Sequence, residues 1–209
     1  MSDTYYVKTF GGLEITNDNV TVNIVELFGK QLVNLLQVLL FHSEKPVQKD
    51  ELIDILWPES KNPSSALKFS IFRLRAELNE IEFFKDKEVI VTTRKGYILN
   101  PNLDWNIDFV ELEKAYNQIN DGSELLDEKE FKTARKIFRL YQGRFYASPS
   151  QLHWILQKQE IFRQMYVKTM MRTSCYLYTQ KRYDEMMLMN YHALLIEPYN
   201  EGLHYYYMK

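Results

Sequence analysis

The stretch that most constrains this chain is Asn62 to Glu80, NPSSALKFSIFRLRAELNE. It begins as a helix. Asn62 is a capping residue type, and Pro63 suits the first helical position, where its missing N–H costs nothing. At about 100° per residue, Leu67, Ile71, Leu74 and Leu78 fall on one narrow stripe that requires a core. Phe69 and Phe72 fall on the opposite side, beside Ser65, Arg73 and Ala76, with Lys68 at the edge. From Lys61 to Arg75 there are four basic residues and no acid. Any fold that accepts this helix must bury the leucine stripe and give a place to a cationic, aromatic face on the other side.

The flanking sequence supplies such a fold. The first thirty residues read as short strands: Tyr5–Phe10, then Gly11–Gly12, then LEIT and VTVN around the turn residues Asn17–Asn19. After Gly29, KQLVNLLQVLLFH has a broad apolar face of Leu32, Leu35, Leu36, Leu39 and Leu40. Pro46 breaks the chain. VQKDELIDILW is a short helix with Leu52, Ile55 and Leu56 inward, and Gln48 with Glu51 makes a weak capping box. Pro58 ends it, and a short loop to Lys61 leads into the two-faced helix. EVIVTT and YILN then read as strands around the basic turn Arg94–Gly96. Strands, three helices and a hairpin in this order make a winged helix-turn-helix.

From Asp104 the pattern becomes helical throughout. Phe109, Leu112, Tyr116 and Ile119 form one stripe; Phe131, Ala134, Ile137, Phe138 and Tyr141 form another, stopped by Gly143 as a glycine cap. A long helix is expected at about residues 152–180, another closes at Pro198, and NEGLHYYYMK begins one more. Paired helices of this length suggest tetratricopeptide-like helical hairpins. Met170, Met171, Met186, Met187 and Met189 read as core filler, Trp57 and Trp154 as packing anchors, and Tyr205–Tyr207 as a face that packs on a further helix.

Other classes find little support. The four histidines are scattered without zinc-type spacing, the single cysteine, Cys175, has no histidine near it, and the seven glycines form no phosphate-binding loop. The reading is therefore no enzyme, no cofactor and no metal. There is no run of 18 apolar residues, and the polar start MSDTYYVKTF is unlike a signal peptide, so no membrane partner and a cytoplasmic location are expected. A net charge of −2 argues mildly against nucleic acid, and residues 1–104 hold 12 basic against 15 acidic residues. Positive charge is nevertheless concentrated in two acid-free segments, Lys61–Arg75 and Val89–Leu103.

Several stretches resemble a known family when taken in order: KDELIDILWP (49–58), ALKFSIFRLRAEL (66–78), GYIL (96–99), DFVELEKA (108–115), LYQGRFY (140–146), HWILQKQE (153–160) and EPYNEGLHYYYM (197–208). Residues 5–104 resemble the OmpR-type winged-helix domain. Residues 105–209 resemble the bacterial transcriptional activator domain that follows it in the Streptomyces antibiotic regulatory protein (SARP) family. The resemblance implies domains at 1–104 and 105–209, an α+β winged helix followed by an all-α, tetratricopeptide-like repeat domain. It implies a sequence-specific transcriptional regulator, usually an activator, with double-stranded DNA and RNA polymerase as partners. The family's helical domain continues for further helices, which the natural chain would hold if it extends past Lys209. A homodimer through the helical domain is also expected.

On this reading Lys68, Arg73 and Arg75 meet phosphates or guanine edges, and Ser64 and Ser65 bond phosphate in the first turn. Phe69 and Phe72 meet thymine methyl groups, and the wing offers Thr92, Thr93, Arg94 and Lys95 to the backbone or minor groove. The competing structural readings are a second buried face for the two phenylalanines, against the second domain, and internal ion pairs of Arg73 and Arg75 with the local acids. The competing function is a protein-interaction scaffold whose winged helix no longer binds DNA.

Overall fold

A computed structural model describes residues 4–119, 125–146 and 153–209. They form two compact units. One comprises the chain through Val7 together with Leu13–Asn106; the other comprises Lys8–Gly12 and the described residues from Ile107 to Lys209.

The first unit opens with strands β1 (Thr4–Lys8), β2 (Glu14–Asn17) and β3 (Val20–Asn23). β2 and β3 pair antiparallel from Glu14↔Asn23 to Asn17↔Val20, and Asp18 takes a positive φ of 50° in the turn. A fourth strand, β6 (Asp104–Ile107), completes a sheet of order β3-β2-β1-β6. Its short alternating pattern was not legible beside the helical pattern that follows. Tyr5 of β1 is fully buried, with ring centroids 4.9 Å from Phe84 and 5.3 Å from Trp105.

Four helices follow β3: α1 (Ile24–Leu27), α2 (Lys30–Phe41), α3 (Lys49–Leu56) and α4 (Pro63–Asn79). α1 is a single turn capped by the Asn23 side chain on Val25 N. α2 is buried along the whole of Leu32–Leu40, so it is the central helix rather than one with a single broad face. α3 buries Leu52 and Leu56, while Ile55 is half-buried. α4 buries the stripe read from sequence, Leu67, Ile71, Leu74 and Leu78, together with Ser70. Two caps differ from expectation. Neither Gln48 nor Asn62 makes a side-chain cap hydrogen bond. Pro63 at the first position of α4 leaves one fewer unpaired N–H at the helix start.

The wing is β4 (Ile90–Thr92) paired antiparallel with β5 (Tyr97–Leu99), in register Ile90↔Leu99, Val91↔Ile98 and Thr92↔Tyr97. Val47, just before α3, bridges to β5: its N–H donates to the Tyr97 carbonyl at 2.8 Å, and Tyr97 N–H returns the bond at 3.0 Å. Gly96, with φ of 148°, allows this approach, because a Cβ there would lie 1.8 Å from the Val47 carbonyl oxygen.

The second unit contains α5 (Asp108–Ile119), α6 (Glu128–Leu140), α7 (His153–Thr179), α8 (Tyr183–Ile196) and α9 (Glu201–Met208). α6 begins at a full capping box between Asp127 and Glu130. It ends at Leu140 with Tyr141 as its last cap, so Gly143 is not the glycine that stops it. Gly143 instead lies in a close approach, where an added Cβ would be 3.1 Å from Gly11 Cα. The strand-like segment Thr9–Gly11 is held there by a Phe10↔Phe145 bridge and by Gly11 N–H donating to the Arg144 carbonyl at 2.9 Å. Asp108, at the start of α5, accepts from the backbone N–H groups of Thr9 and Phe10 at 2.7 and 3.1 Å and from the Thr9 hydroxyl. An aromatic core of Phe10, Phe109, Phe145 and Phe162 sits beside the stacked pair Tyr141 and Tyr166. Met170, Met186 and Met189 are buried as core filler, whereas Met171 and Met187 are exposed. Of the terminal tyrosines, Tyr205 and Tyr207 are exposed and Tyr206 is half-buried. The architecture is thus a winged helix followed by a helical region. Among the described residues no helix is long and apolar enough to cross a membrane.

Candidate nucleic-acid interface

The outward face of α4 is two adjacent rows, each stepping four residues and so running along one side of the helix. One row is Ser64, Lys68 and Phe72; the other is Ser65, Phe69 and Arg73. All six are exposed. Phe69 is 61% and Phe72 is 70% exposed, so neither ring is part of the core of the winged-helix unit. Two large apolar rings in water beside cations form a surface suited to a partner that is both anionic and apolar at close quarters.

The cations of this face differ in what holds them. Lys68 has no ion pair among the described residues. Arg73 reaches Glu77 one turn on, Nη2 to Oε1 at 3.3 Å, and both side chains remain well exposed. Such a pair is weak, so Arg73 is available to an incoming anion. Here the structure supports both readings of Arg73: it has an internal partner, and it stands on the exposed face.

Arg75 is different. Its Nε and Nη2 donate to the Ile90 carbonyl at 3.1 and 2.8 Å, and Nη2 also donates to the Thr92 hydroxyl at 2.8 Å. The guanidinium is therefore turned onto the hairpin, as a strut between α4 and the wing. It makes no ion pair with the local acids among the described residues. Sequence periodicity gives no sign of this contact, because it depends on where the wing lies against α4.

In the wing, Thr92 is exposed but its hydroxyl already accepts from Arg75. Thr93 is half-buried. Its hydroxyl accepts from the N–H groups of Lys95 and Gly96, each at 3.2 Å, and donates to the Gly96 carbonyl at 3.1 Å. These threonines shape the turn. Arg94 and Lys95 project from it, both exposed and without an ion pair among the described residues. The structure thus brings Ser64, Ser65, Lys68, Phe69, Phe72 and Arg73 together on α4 and Arg94 and Lys95 together at the wing tip. It assigns Arg75, Thr92 and Thr93 to bonds that set the shape between them.

Among the described residues no group of three His, Cys, Asp or Glu side chains could hold a metal ion. The helical unit has a cleft of ≈ 510 Å³ whose walls include Tyr141, Arg144, Arg163 and Glu197. Several of its charges answer one another. Arg163 donates to both Glu160 oxygens at 2.8 Å and to Glu197 at 3.5 Å. The hydrogen bonds from Arg163 and Gln164 hold the Glu160 carboxyl down at about 2, while burial pushes the Glu197 carboxyl up.

Residues 25–99 match the family described as transcriptional regulatory protein, C terminal. That segment contains α2, α3, α4 and the wing, and with them every residue of the interface above. Among solved structures, Mycobacterium tuberculosis EmbR in complex with a low affinity phosphopeptide is 16% identical, with a TM-score of 0.68 over 98% of this chain and 53% of that one. The chain thus spans about half the length of EmbR, and the likeness is one of fold. The DNA binding domain of E. coli CadC is 25% identical over 45% of this chain and 88% of its own, with a TM-score of 0.35. No curated protein matches. The family match and the fold of EmbR fit a SARP-like regulator, an OmpR-type winged helix followed by a helical region. The chain carries the DNA-binding domain of a transcriptional regulator.

Proposed function

We propose that this chain is a sequence-specific activator of transcription acting in the cytoplasm. α4 enters the major groove of double-stranded DNA, and the wing lies on the adjacent backbone or minor groove. The observation that carries this reading is the pair of exposed rows on α4, two phenylalanines set among cations and hydroxyls. Lys68 and Arg73 meet phosphates or guanine edges, Phe69 and Phe72 meet thymine methyl groups, and Ser64 and Ser65 bond a phosphate at the helix start. Arg94 and Lys95 neutralise backbone phosphates from the wing tip. Arg75, with Thr92 and Thr93, sets the distance between these two contacts.

One recognition helix reads only a few base pairs, so paired or tandem half-sites about one helical turn apart are expected. The helical unit offers a means of pairing. Leu188, Leu195, Tyr205 and Met208 are exposed at 58%, 64%, 54% and 78%, an apolar supply for a homodimer or for contact with RNA polymerase. Selection of bound fragments from random duplex DNA, followed by footprinting, tests the reading. A recurrent sequence protected over two half-sites is expected. Retention of all fragments alike, or of none, would leave the scaffold reading in its place.

A further inference from the structure

The first unit carries a second surface, chemically opposite to the DNA face. Val20, Val22, Leu27, Phe28, Ile81 and Phe83 line a groove of ≈ 350 Å³, and three glutamates, Glu77, Glu80 and Glu82, stand along its edge. Its floor belongs to the core, since Phe28 and Ile81 are each 6% exposed. Its upper wall does not: Val20 is 51% and Leu27 is 58% exposed. These are apolar side chains in water beside a ready cavity, at the small end of the about 300–1,000 Å³ typical of binding pockets. No basic residue lines the groove. Glu80 and Glu82 have no cationic partner among the described residues, and Glu77 has only the weak bond from Arg73.

The groove lies at the C-terminal end of α4. Glu80 stands about 10 Å along the helix axis from Arg73, the last α4 residue of the proposed DNA face, and Glu77 of the groove is bonded to Arg73. Three carboxylates repel phosphate, so this end is unsuited to nucleic acid. They attract lysine and arginine, and an apolar floor attracts aliphatic or aromatic side chains. We propose that this groove docks a short segment of a partner protein in which apolar residues are flanked by lysine or arginine. Val20, Leu27 and Phe83 receive the apolar side chains, and Glu80 and Glu82 receive the cations. Such a site would recruit a partner to DNA-bound protein, and it stands on its own residues whether or not the chain binds DNA.

The test uses the full chain and a fluorescein-labelled amphipathic dodecapeptide of leucine and lysine, with a leucine and glutamate peptide as control. Saturable anisotropy is expected for the lysine peptide alone. The double variant Glu80→Lys with Glu82→Lys should weaken it by about fivefold or more, because two attractions become repulsions. Leu27→Ser, at an exposed position, should weaken it without unfolding the chain; circular dichroism checks this. Equal binding of both peptides, or lysine-peptide binding untouched by these variants, overturns the proposal. So does self-association seen by light scattering and abolished by Leu27→Ser, which would make the occupant a second copy. A gel shift on the same samples separates the two sites: peptide binding without a DNA shift would refute the DNA reading and leave the groove intact.

Discussion

The guanidinium of Arg75 donates twice to the carbonyl oxygen of Ile90, from Nε at 3.1 Å and from Nη2 at 2.8 Å. Bonds from a charged donor to a backbone acceptor are stronger than neutral ones. They join the C-terminal part of α4 to the first strand of the wing, so the two elements proposed to contact DNA are tied together. Arg75→Ala should loosen the wing and weaken specific DNA binding by about 1–2 kcal/mol. The salt dependence tells a strut from a phosphate contact. Loss of a phosphate contact lowers the slope of log affinity against log salt by about 1, whereas loss of a strut leaves the slope unchanged. An unchanged slope is expected for Arg75→Ala and a reduced one for Lys95→Ala.

The exposed phenylalanines should separate binding from stability. Phe72→Ala removes a ring that is 70% exposed, so the melting free energy should stay within about 0.5 kcal/mol. Affinity for the preferred site should fall by about 1 kcal/mol or more, and only where the site places thymine under the ring. A large loss of stability would mean that the ring packs on protein after all.

The ion pair of Arg73 with Glu77 competes with DNA for the guanidinium. An exposed pair at this spacing is worth about 0.2–0.5 kcal/mol. Glu77→Gln should therefore tighten DNA binding by about twofold, most clearly at low salt. Weaker binding in this variant would show that Glu77 orients Arg73 toward DNA rather than holding it back.

Much of this site was legible in the sequence because it rests on local periodicity. The stripe Leu67, Ile71, Leu74 and Leu78 had to be buried, which left Phe69 and Phe72 outside. The acid-free turn at Arg94–Lys95 marked the wing. What was not legible depends on contacts far apart in sequence. Arg75 looked like one more outward cation because its acceptors, Ile90 and Thr92, lie 15 and 17 residues away. The strand Asp104–Ile107 was invisible because its partner is the start of the chain. Gly143 read as a helix cap because nothing local reveals the backbone of Gly11 beside it.

Gly96 should tolerate no side chain. A Cβ would meet the Val47 carbonyl at 1.8 Å, and φ is 148°. Gly96→Ala must break the Val47–Tyr97 bridge or distort the turn, at a cost of about 2–4 kcal/mol in denaturant melts. Gly12→Ala, where nothing lies within 4 Å, serves as the control and should change little.

The burial of Asp108 should make the stability of the helical unit depend on pH. Burial pushes its carboxyl above 3.8, against the opposing hydrogen bonds from Thr9 and Phe10. The folded chain therefore holds this proton more tightly than the unfolded chain does. The associated stability is fully present below the unfolded value and is lost as pH rises through the folded one. Asn at this position does not titrate. Wild-type stability, taken relative to Asp108→Asn, should therefore fall as pH rises from about 3 to 7. A gap independent of pH would contradict the burial argument.

The central claim is that one face of α4, with the wing tip, binds duplex DNA. Its most direct measurement is an anisotropy titration of wild type, Arg73→Ala and Lys95→Ala on the selected site and on an unrelated duplex, between about 50 and 200 mM salt. Arg73→Ala should cost about 1–3 kcal/mol on the selected site and less on the unrelated one. Lys95→Ala should weaken both duplexes alike and flatten the salt slope. Wild-type affinity for the selected site in both variants would contradict the assignment of this face.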